Sequence, residues 1–354
     1  MIADRVERLM SRLTATVLVS AAAVLTAAQP VPDFAREPLW AYGFDTPPKP
    51  GDAAKPQTPP SRDLRPNEDA NEQTRPRRVE ASQATYSLVD VRDGSHVIDW
   101  FPGDHPPMPT VAERGPAASG RLARGCASCH LPNGKGRPEN APVAGLTPAY
   151  FLQQLQDFRD GLRHTADPRK PNTPTMINLS KDMTVDEMMA AAGYFSAIPY
   201  ATPWIRVVET DTVPKTMIVG NLFIPIEQAR SELIAGRIIE VPENEEQSEL
   251  LRNPRSGFIA YVPVGAVAKG KTLATTVVRP SACVTCHGAD LLGIENIPPI
   301  AGRSASYIAR QMWDVQQGTR HGAFAPAMKT AIADLTPQDL VSVAAYVASR
   351  PPKK

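Results

Sequence analysis

The sequence feature that most constrains this chain is a five-residue pattern, C-x-x-C-H, at residues 126–130 and again at residues 283–287. Two thiols at this spacing form thioethers to the vinyl groups of a c-type haem, and the adjacent imidazole ligates the iron. A zinc site would need a second cysteine pair nearby, and a dithiol redox motif does not require the histidine. The two motifs use all four cysteines, so we predict two covalently attached haem c groups. The predicted attachment residues are Cys126, Cys129, Cys283 and Cys286, and the predicted histidine ligands are His130 and His287.

The two motifs belong to a duplicated unit. At least ten residues of the first unit lie 157 positions before an identical residue of the second. They include Cys126, Cys129, His130, Gly136, Pro142, Gly145, Tyr150, Gly161, Arg163 and His164. Ten identities at one offset indicate an internal duplication. After His164 the offset falls to 152, because the first unit contains five additional residues before Met176.

The duplication narrows the search for the second axial ligand, because a true ligand should occur in both units. Met176 corresponds to Met328, and His164 corresponds to His321. Each methionine follows a proline-containing stretch and precedes the last predicted helix of its unit, and Met/His ligation is a known solution in electron carriers. We therefore predict Met176 and Met328 as ligands, held by irregular loops, with the two histidines as the alternative.

Other paired residues are predicted to contact the haems. A ligating imidazole needs its second N–H fixed by an acceptor, and we predict the backbone carbonyls of Pro142 and Pro299 for this role. Tyr150 and Tyr307 are predicted to place a ring against the haem and a hydroxyl near a propionate, with ordinary core tyrosines as the alternative. Arg163 and Arg320 are the corresponding cationic residues, predicted to act toward the haem propionates.

The amino terminus resembles a secretory signal peptide. Arginines precede an uncharged run at residues 13–28 that ends in small residues, which predicts cleavage after residue 28. The run is short for a membrane span, and an uncleaved anchor is the alternative. Together with haem attachment, the signal indicates a bacterial periplasm. The formal net charge of +1 gives no case for nucleic-acid binding.

The remaining sequence predicts a mostly α chain with two helical haem domains, at residues 111–198 and 268–354. Residues 29–110 are rich in proline and charge, which predicts an extended strap or a disordered linker. Residues 199–267 contain several β-rich runs. We interpret them as a β-rich insertion that braces the haem domains, with a partner platform as the alternative.

Both haem units resemble class I cytochromes c, and their tandem arrangement resembles the dihaem type called c-four. The resemblance is carried by C-x-x-C-H, by the Met-to-last-helix spacing and by two further sets of residues. These are Pro142 to Gly145 with Tyr150, Gln154, Phe158 and Gly161 to Arg163, and Pro299 to Gly302 with Tyr307, Gln311 and Gly318 to Arg320. The family implies two small α-helical domains, His/Met ligation and periplasmic electron transfer.

We predict a non-enzymatic electron carrier that exchanges electrons with redox protein partners. The donor would be a dehydrogenase or a respiratory-chain component, and the acceptor an oxidase or another protein. The alternatives are a cytochrome subunit of a periplasmic dehydrogenase complex and a dihaem peroxidase with one open iron. The repeated methionine disfavours the peroxidase, since a peroxidase should break the symmetry at one haem. Membrane association is expected only if the amino-terminal segment is uncleaved.

Overall fold

The computed structural model describes residues 36–53, 68–201, 204–276 and 282–352. The predicted signal peptide, residues 1–28, lies outside these ranges. The described chain is mostly helical with a small amount of sheet, as predicted. Within these residues, no helix combines the length and the apolar character that a membrane span requires.

The first haem unit is built from helices whose starts follow sequence signals. Thr147 and Thr184 cap helices with their side chains, and Glu187 completes a capping box with Thr184. The helices are α3 (Thr110–Arg114), α4 (Cys126–His130), α5 (Pro148–Arg159), α6 (Asn172–Asp182) and α7 (Val185–Ala197), with a 3₁₀ turn at Ala117–Leu122; α1 (Ala70–Thr74) and α2 (Leu88–Arg92) precede them.

The second unit repeats this arrangement, again with one helix ahead of the attachment motif. Its helices are α8 (Ala266–Thr275), α9 (Cys283–His287), α10 (Ala305–Gln316), α11 (Ala325–Ile332) and α12 (Pro337–Ser349). Thr336 caps α12 and Pro337 opens it, as the sequence predicts. The helix α8 crosses α12 closely at Gly270, where a Cβ would lie 1.8 Å from the carbonyl oxygen of Ser342.

The predicted β-rich insertion forms small sheets. β1 (Ile205–Glu209) runs parallel to β7 (Phe258–Val262), and β7 pairs antiparallel with β6 (Ile239–Pro242). Two further antiparallel pairs are β2 (Thr212–Pro214) with β5 (Ser231–Leu233) and β3 (Thr216–Val219) with β4 (Leu222–Pro225). The acidic stretch between β6 and β7 contains a π-helical turn, Glu246–Leu250.

The insertion contacts both haem units. The indole N–H of Trp204 donates to the carbonyl of Gly136 in the first unit, at 2.9 Å. On the other side, the buried carboxylate of Glu240 in β6 accepts from the Ser304 hydroxyl (2.7 Å) and from the backbone N–H of Ser306 (2.9 Å). Glu240 thus occupies the start of α10, where the first backbone N–H groups lack helical partners. These contacts agree with a bracing role.

The proline-rich segment departs from the predicted extended strap. Leu39–Tyr42 forms a buried 3₁₀ turn in the main core, and the Tyr42 hydroxyl donates to Asp314 of α10 at 2.6 Å. A second core forms around Trp100 and Phe101, and the Trp100 indole donates to the carbonyl of Leu251. Short apolar runs between the prolines therefore anchor this segment to the fold.

The capping contact of Glu240 should contribute measurably to stability. Glu240→Ala would leave buried donors of α10 without an acceptor, so we expect the free energy of unfolding to fall by about 3 kcal/mol. Urea denaturation of the holoprotein measures this. Glu243→Ala removes a nearby exposed carboxylate paired with Arg206, and we expect a change below about 0.5 kcal/mol. Equal losses in both variants would contradict the capping role.

Candidate haem sites

Each attachment motif forms a short helix of its own. α4 contains Cys126, Cys129 and His130, and α9 contains their counterparts in the second unit. Gly125 precedes α4 because a Cβ there would lie 2.2 Å from the carbonyl oxygen of Glu113. The C-x-x-C-H spacing therefore places two thiols and one imidazole on a single helical turn.

Each motif opens onto a cavity that the other predicted ligands also line. The first cavity, about 400 Å³, is lined by the first attachment motif and by Met176. The second, about 210 Å³, is lined by the second motif and by Met328. The structure thus brings each predicted histidine, cysteine pair and methionine together. The alternative histidine His164 also lines the first cavity, but it is exposed, as is His321.

The methionines lie in helices, so the prediction of irregular loops is wrong. Met176 is the fifth residue of α6 and Met328 the fourth residue of α11. The prolines that suggested a loop, Pro174 and Pro326, occupy the first turns of these helices. Backbone N–H groups in a first turn have no helical partner, so proline is tolerated there.

The histidines are held by backbone carbonyls one residue before the predicted ones. The Nδ1 of His130 hydrogen-bonds the carbonyl of Ala141 at 2.7 Å, and the Nδ1 of His287 hydrogen-bonds that of Pro298 at 2.8 Å. This leaves Nε2 of each imidazole for a metal. The principle of a carbonyl acceptor is confirmed, but its assignment to Pro142 and Pro299 is wrong.

The carbonyls of Pro142 and Pro299 accept hydrogen bonds from a different residue, Arg303. Arg303 donates to Pro142 at 2.7 Å and to Pro299 at 2.6 Å, and also to Ala144. One buried guanidinium thereby joins corresponding loops of the two units. Both prolines line the second cavity, and they contribute to its wall.

Burial sets the protonation of the motif residues. It lowers the pKa of His130 and of His287, which favours the neutral imidazole that ligates iron. It also raises the pKa of Cys126 to about 12, which disfavours a reactive thiolate. Among the described residues, no group of three or more His, Cys, Asp or Glu is arranged to hold a metal ion. These observations agree with haem attachment and give no support for a zinc site.

The two units exchange arginine and tyrosine contacts across their interface. Arg163 of the first unit donates to the Tyr307 hydroxyl of the second at 3.2 Å, and Arg320 donates to the Tyr150 hydroxyl at 2.7 Å. Gln154 and Gln311 accept from both arginines, in an approximately twofold arrangement. Tyr150 and Tyr307 each line both cavities, so the cavities share a wall.

Backbone pairing fixes this interface. Arg163 and Arg320 form an antiparallel bridge. Beside it, the N–H of His164 donates to Thr319 at 2.7 Å, and the N–H of His321 donates to Leu162 at 2.8 Å. The Arg-His pair that occurs in both units therefore lies where the two units contact each other.

Buried cations without carboxylate partners cluster around the cavities. Three buried arginines, one half-buried arginine (Arg320) and one buried lysine share this property. Within the described chain, none of them has a carboxylate at ion-pair distance. They are Arg163, Arg303, Arg310, Arg320 and Lys170. Buried charge is unfavourable unless it is paired. Each haem carries two propionate carboxylates, so this excess of positive charge fits two haems.

Several charged residues that line the cavities were not predicted from the sequence. Asp157 and Asp314 are related by the 157-residue offset, so the duplication contained a signal for them. Arg303 and Arg310 correspond to Leu146 and Gln153, and Lys170 lies within the longer stretch of the first unit. The repeat comparison that selected paired ligands therefore discarded these cations.

The chain is similar to several known proteins. A Cytochrome c family model matches residues 267–351. A thiosulfate dehydrogenase electron acceptor of Stutzerimonas stutzeri is 36% identical over 230 residues, which cover 64% of this chain and 79% of that protein. Cytochrome c4 of Pseudomonas aeruginosa is 24% identical over 238 residues, covering 66% and 88% of the two chains. A solved structure of thiosulfate dehydrogenase from Marichromatium purpuratum is 28% identical, with a TM-score of 0.44 over 68% of this chain and 39% of that one.

The chain belongs to the cytochrome c family, as a c4-like class I member. It is a dihaem electron-transfer cytochrome with haem c as its cofactor.

Removal of either cysteine pair should remove one haem. We expect Cys126→Ala/Cys129→Ala to retain only the second haem, and Cys283→Ala/Cys286→Ala only the first, because each thioether pair holds its own cavity's haem. Intact-protein mass spectrometry and the pyridine haemochrome assay count the covalent haems. Two covalent haems in either double variant would contradict the assignment.

Proposed function

We propose that this chain is a periplasmic electron carrier in which His130 and Met176 ligate the first iron, and His287 and Met328 the second. The observation that carries the proposal is that each cavity is lined by an attachment histidine and by a methionine at the corresponding position of the repeat. Each haem, when bound, supplies a one-electron Fe(III)/Fe(II) couple.

The protein's own residues position the cofactors and connect them. The carbonyls of Ala141 and Pro298 orient the imidazoles. Arg163 and Arg320 lie at the shared wall of the cavities, where their guanidinium groups would hold haem propionates. The shared wall supports electron transfer from one haem to the other within a single chain.

The symmetry of the two sites favours a carrier over an enzyme. Where both axial positions are filled by protein side chains, the iron has no open position for a substrate. A dihaem peroxidase would need one open iron, whereas both cavities here contain a histidine and a methionine. We therefore propose that the chain has no catalytic activity of its own.

A dehydrogenase is the proposed electron donor. The relatives from Stutzerimonas stutzeri and Thiomonas intermedia are described as thiosulfate dehydrogenase electron acceptors, which supports a donor of this class. The second candidate function, a permanent subunit of a dehydrogenase complex, is favoured by the same relatives. Affinity purification of the tagged chain from its native host distinguishes them: a stoichiometric catalytic subunit indicates a complex, and the free cytochrome indicates a carrier.

We also propose the domain boundaries and the export signal predicted from sequence, with residues 1–28 removed on export. Amino-terminal sequencing of the mature holoprotein tests the cleavage position. A mature chain that begins near residue 29 and is recovered in the periplasmic fraction supports the proposal. A chain that retains Met1 and sediments with membranes would contradict it.

Substitution of either methionine should change the spectrum and the reduction potential of one haem only. Met176→Ala and Met328→Ala remove a thioether ligand, and Met/His ligation raises the reduction potential. We expect each variant to lose half of the near-infrared Met-to-iron band of the oxidised protein. The potential of the corresponding haem should fall by more than about 59 mV, a tenfold change for a one-electron couple. An optical redox titration measures the potentials.

Met189→Ala is the matched control, because Met189 is an exposed residue of α7. Its spectra and potentials should equal those of the wild-type protein. Unchanged potentials in both Met176→Ala and Met328→Ala would show that the ligand assignment is wrong. A high-spin haem in the wild-type protein that reacts with peroxide would contradict the carrier function.

A further inference from the structure

Lys170 is a buried cation with no protein partner. Its side chain is 1% exposed, and its Nζ makes no hydrogen bond within the described part of the chain. The described residues also provide no carboxylate oxygen within 4.0 Å of it. An unpaired ammonium in such a position is strongly unfavourable, and an anionic group close to Nζ would stabilise its charged form.

Each acidic group around Lys170 accepts from another donor, and among their oxygens only Oε2 of Glu139 has no hydrogen-bond partner in the described chain. Glu139, Asp167 and Asp314 are the nearby carboxylates, and each has another donor. Their donors are Arg137 for Glu139 (2.7 Å), Arg169 for Asp167 (2.6 Å) and the Tyr42 hydroxyl for Asp314 (2.6 Å). Burial and the charge of Arg310 lower the pKa of Lys170 well below its usual range. A carboxylate at Nζ would offset this loss of solvation.

The space next to Lys170 is the first haem cavity. Lys170 lines this cavity together with Arg163, Arg310 and Asn172. Apolar residues such as Phe151 and Leu155 line the same cavity. The cavity lining thus contains both cationic and apolar residues. A haem matches this lining, since its propionates are anionic and its ring is apolar.

Lys170 has no counterpart in the second unit. Residues 165–175 of the first unit correspond to the shorter stretch 322–327 of the second, and Lys170 lies in this longer stretch. The second cavity is lined instead by Arg303 and Arg320 and contains no lysine among its described lining residues. The two haem environments therefore differ in charge although their ligands are the same.

We propose that Lys170 forms an ion pair with a propionate of the first haem and raises the reduction potential of that haem relative to the second. This inference rests on the proposed function, because it requires a haem in the first cavity. Fe(III) haem carries one more positive charge than Fe(II) haem. A nearby ammonium therefore favours the reduced state, and its loss favours the oxidised state.

Potentiometric titration of Lys170→Met tests the proposal. Single-haem variants lacking one cysteine pair identify which wave belongs to which haem. We expect the midpoint of the first haem to fall by an amount equivalent to at least a tenfold change in its reduction equilibrium, 59 mV for one electron. The second haem should change by less. Lys170→Arg should restore most of the first potential, which a purely structural role would not predict.

Lys181→Met is the matched control, since Lys181 is an exposed lysine of α6, and both of its midpoints should stay at wild-type values. Lys170→Gln serves as a second, polar variant if Lys170→Met folds poorly. Two retained haems with an unmoved first midpoint in Lys170→Met and Lys170→Gln would overturn the ion pair and leave the proposed function intact. Fewer than two haems in the wild-type protein would overturn the proposed function itself.

The spectrum separates an ion pair from iron ligation by Lys170. In the ion-pair account, Lys170→Met keeps the wild-type near-infrared Met-to-iron band at full intensity while the potential falls. A change of axial ligation in the variant would show that the lysine ligates the iron, and would overturn the proposal.

Discussion

The reciprocal contact of two arginines with two tyrosines is the interaction on which the dihaem arrangement depends. Arg163 reaches Tyr307, and Arg320 reaches Tyr150, so each arginine binds a tyrosine of the other unit that lines both cavities. Separate haem domains on a flexible linker could not maintain a fixed distance between their irons. Here the antiparallel bridge at Arg163 and Arg320 joins the units next to the cofactors.

The segments outside the repeat strengthen this arrangement. Glu240 of the insertion binds the start of α10, while Trp204 binds the loop that follows the first attachment motif. Tyr42 of the amino-terminal segment binds Asp314 beside the first cavity. Each added segment therefore contacts a part of the fold that positions a haem. We therefore propose that the insertion and the proline-rich segment act as structural supports for the two haem units.

Much of the fold and of the site could be predicted from the sequence. Covalent haem attachment has a strict local pattern, and duplication supplied a second test of every candidate, which selected Met176 and Met328. The capping box at Thr184 and the proline that opens α12 are local sequence signals for helix starts. These features depend on residues close together in the chain, where spacing and local chemistry are sufficient.

The features that sequence analysis missed depend on contacts between distant residues. Arg303 donates hydrogen bonds to the carbonyls of Pro142 and Pro299, and nothing in the local sequence indicates these bonds. The proline before Met176 suggests an irregular loop, although the first turn of a helix tolerates proline equally well. The search for ligands required the same residue in both units, so it excluded any functional residue that is present in only one unit. Lys170 is such a residue, and its role emerges only from its burial beside the first cavity.

Electron paramagnetic resonance of the fully oxidised holoprotein tests the central claim most directly, because spin state reports whether both axial positions of each iron are filled. The account of two six-coordinate His/Met centres predicts low-spin signals from both haems, with a total intensity equal to the haem content. A high-spin signal that accounts for one haem per chain would show an open iron and would contradict a two-centre electron carrier.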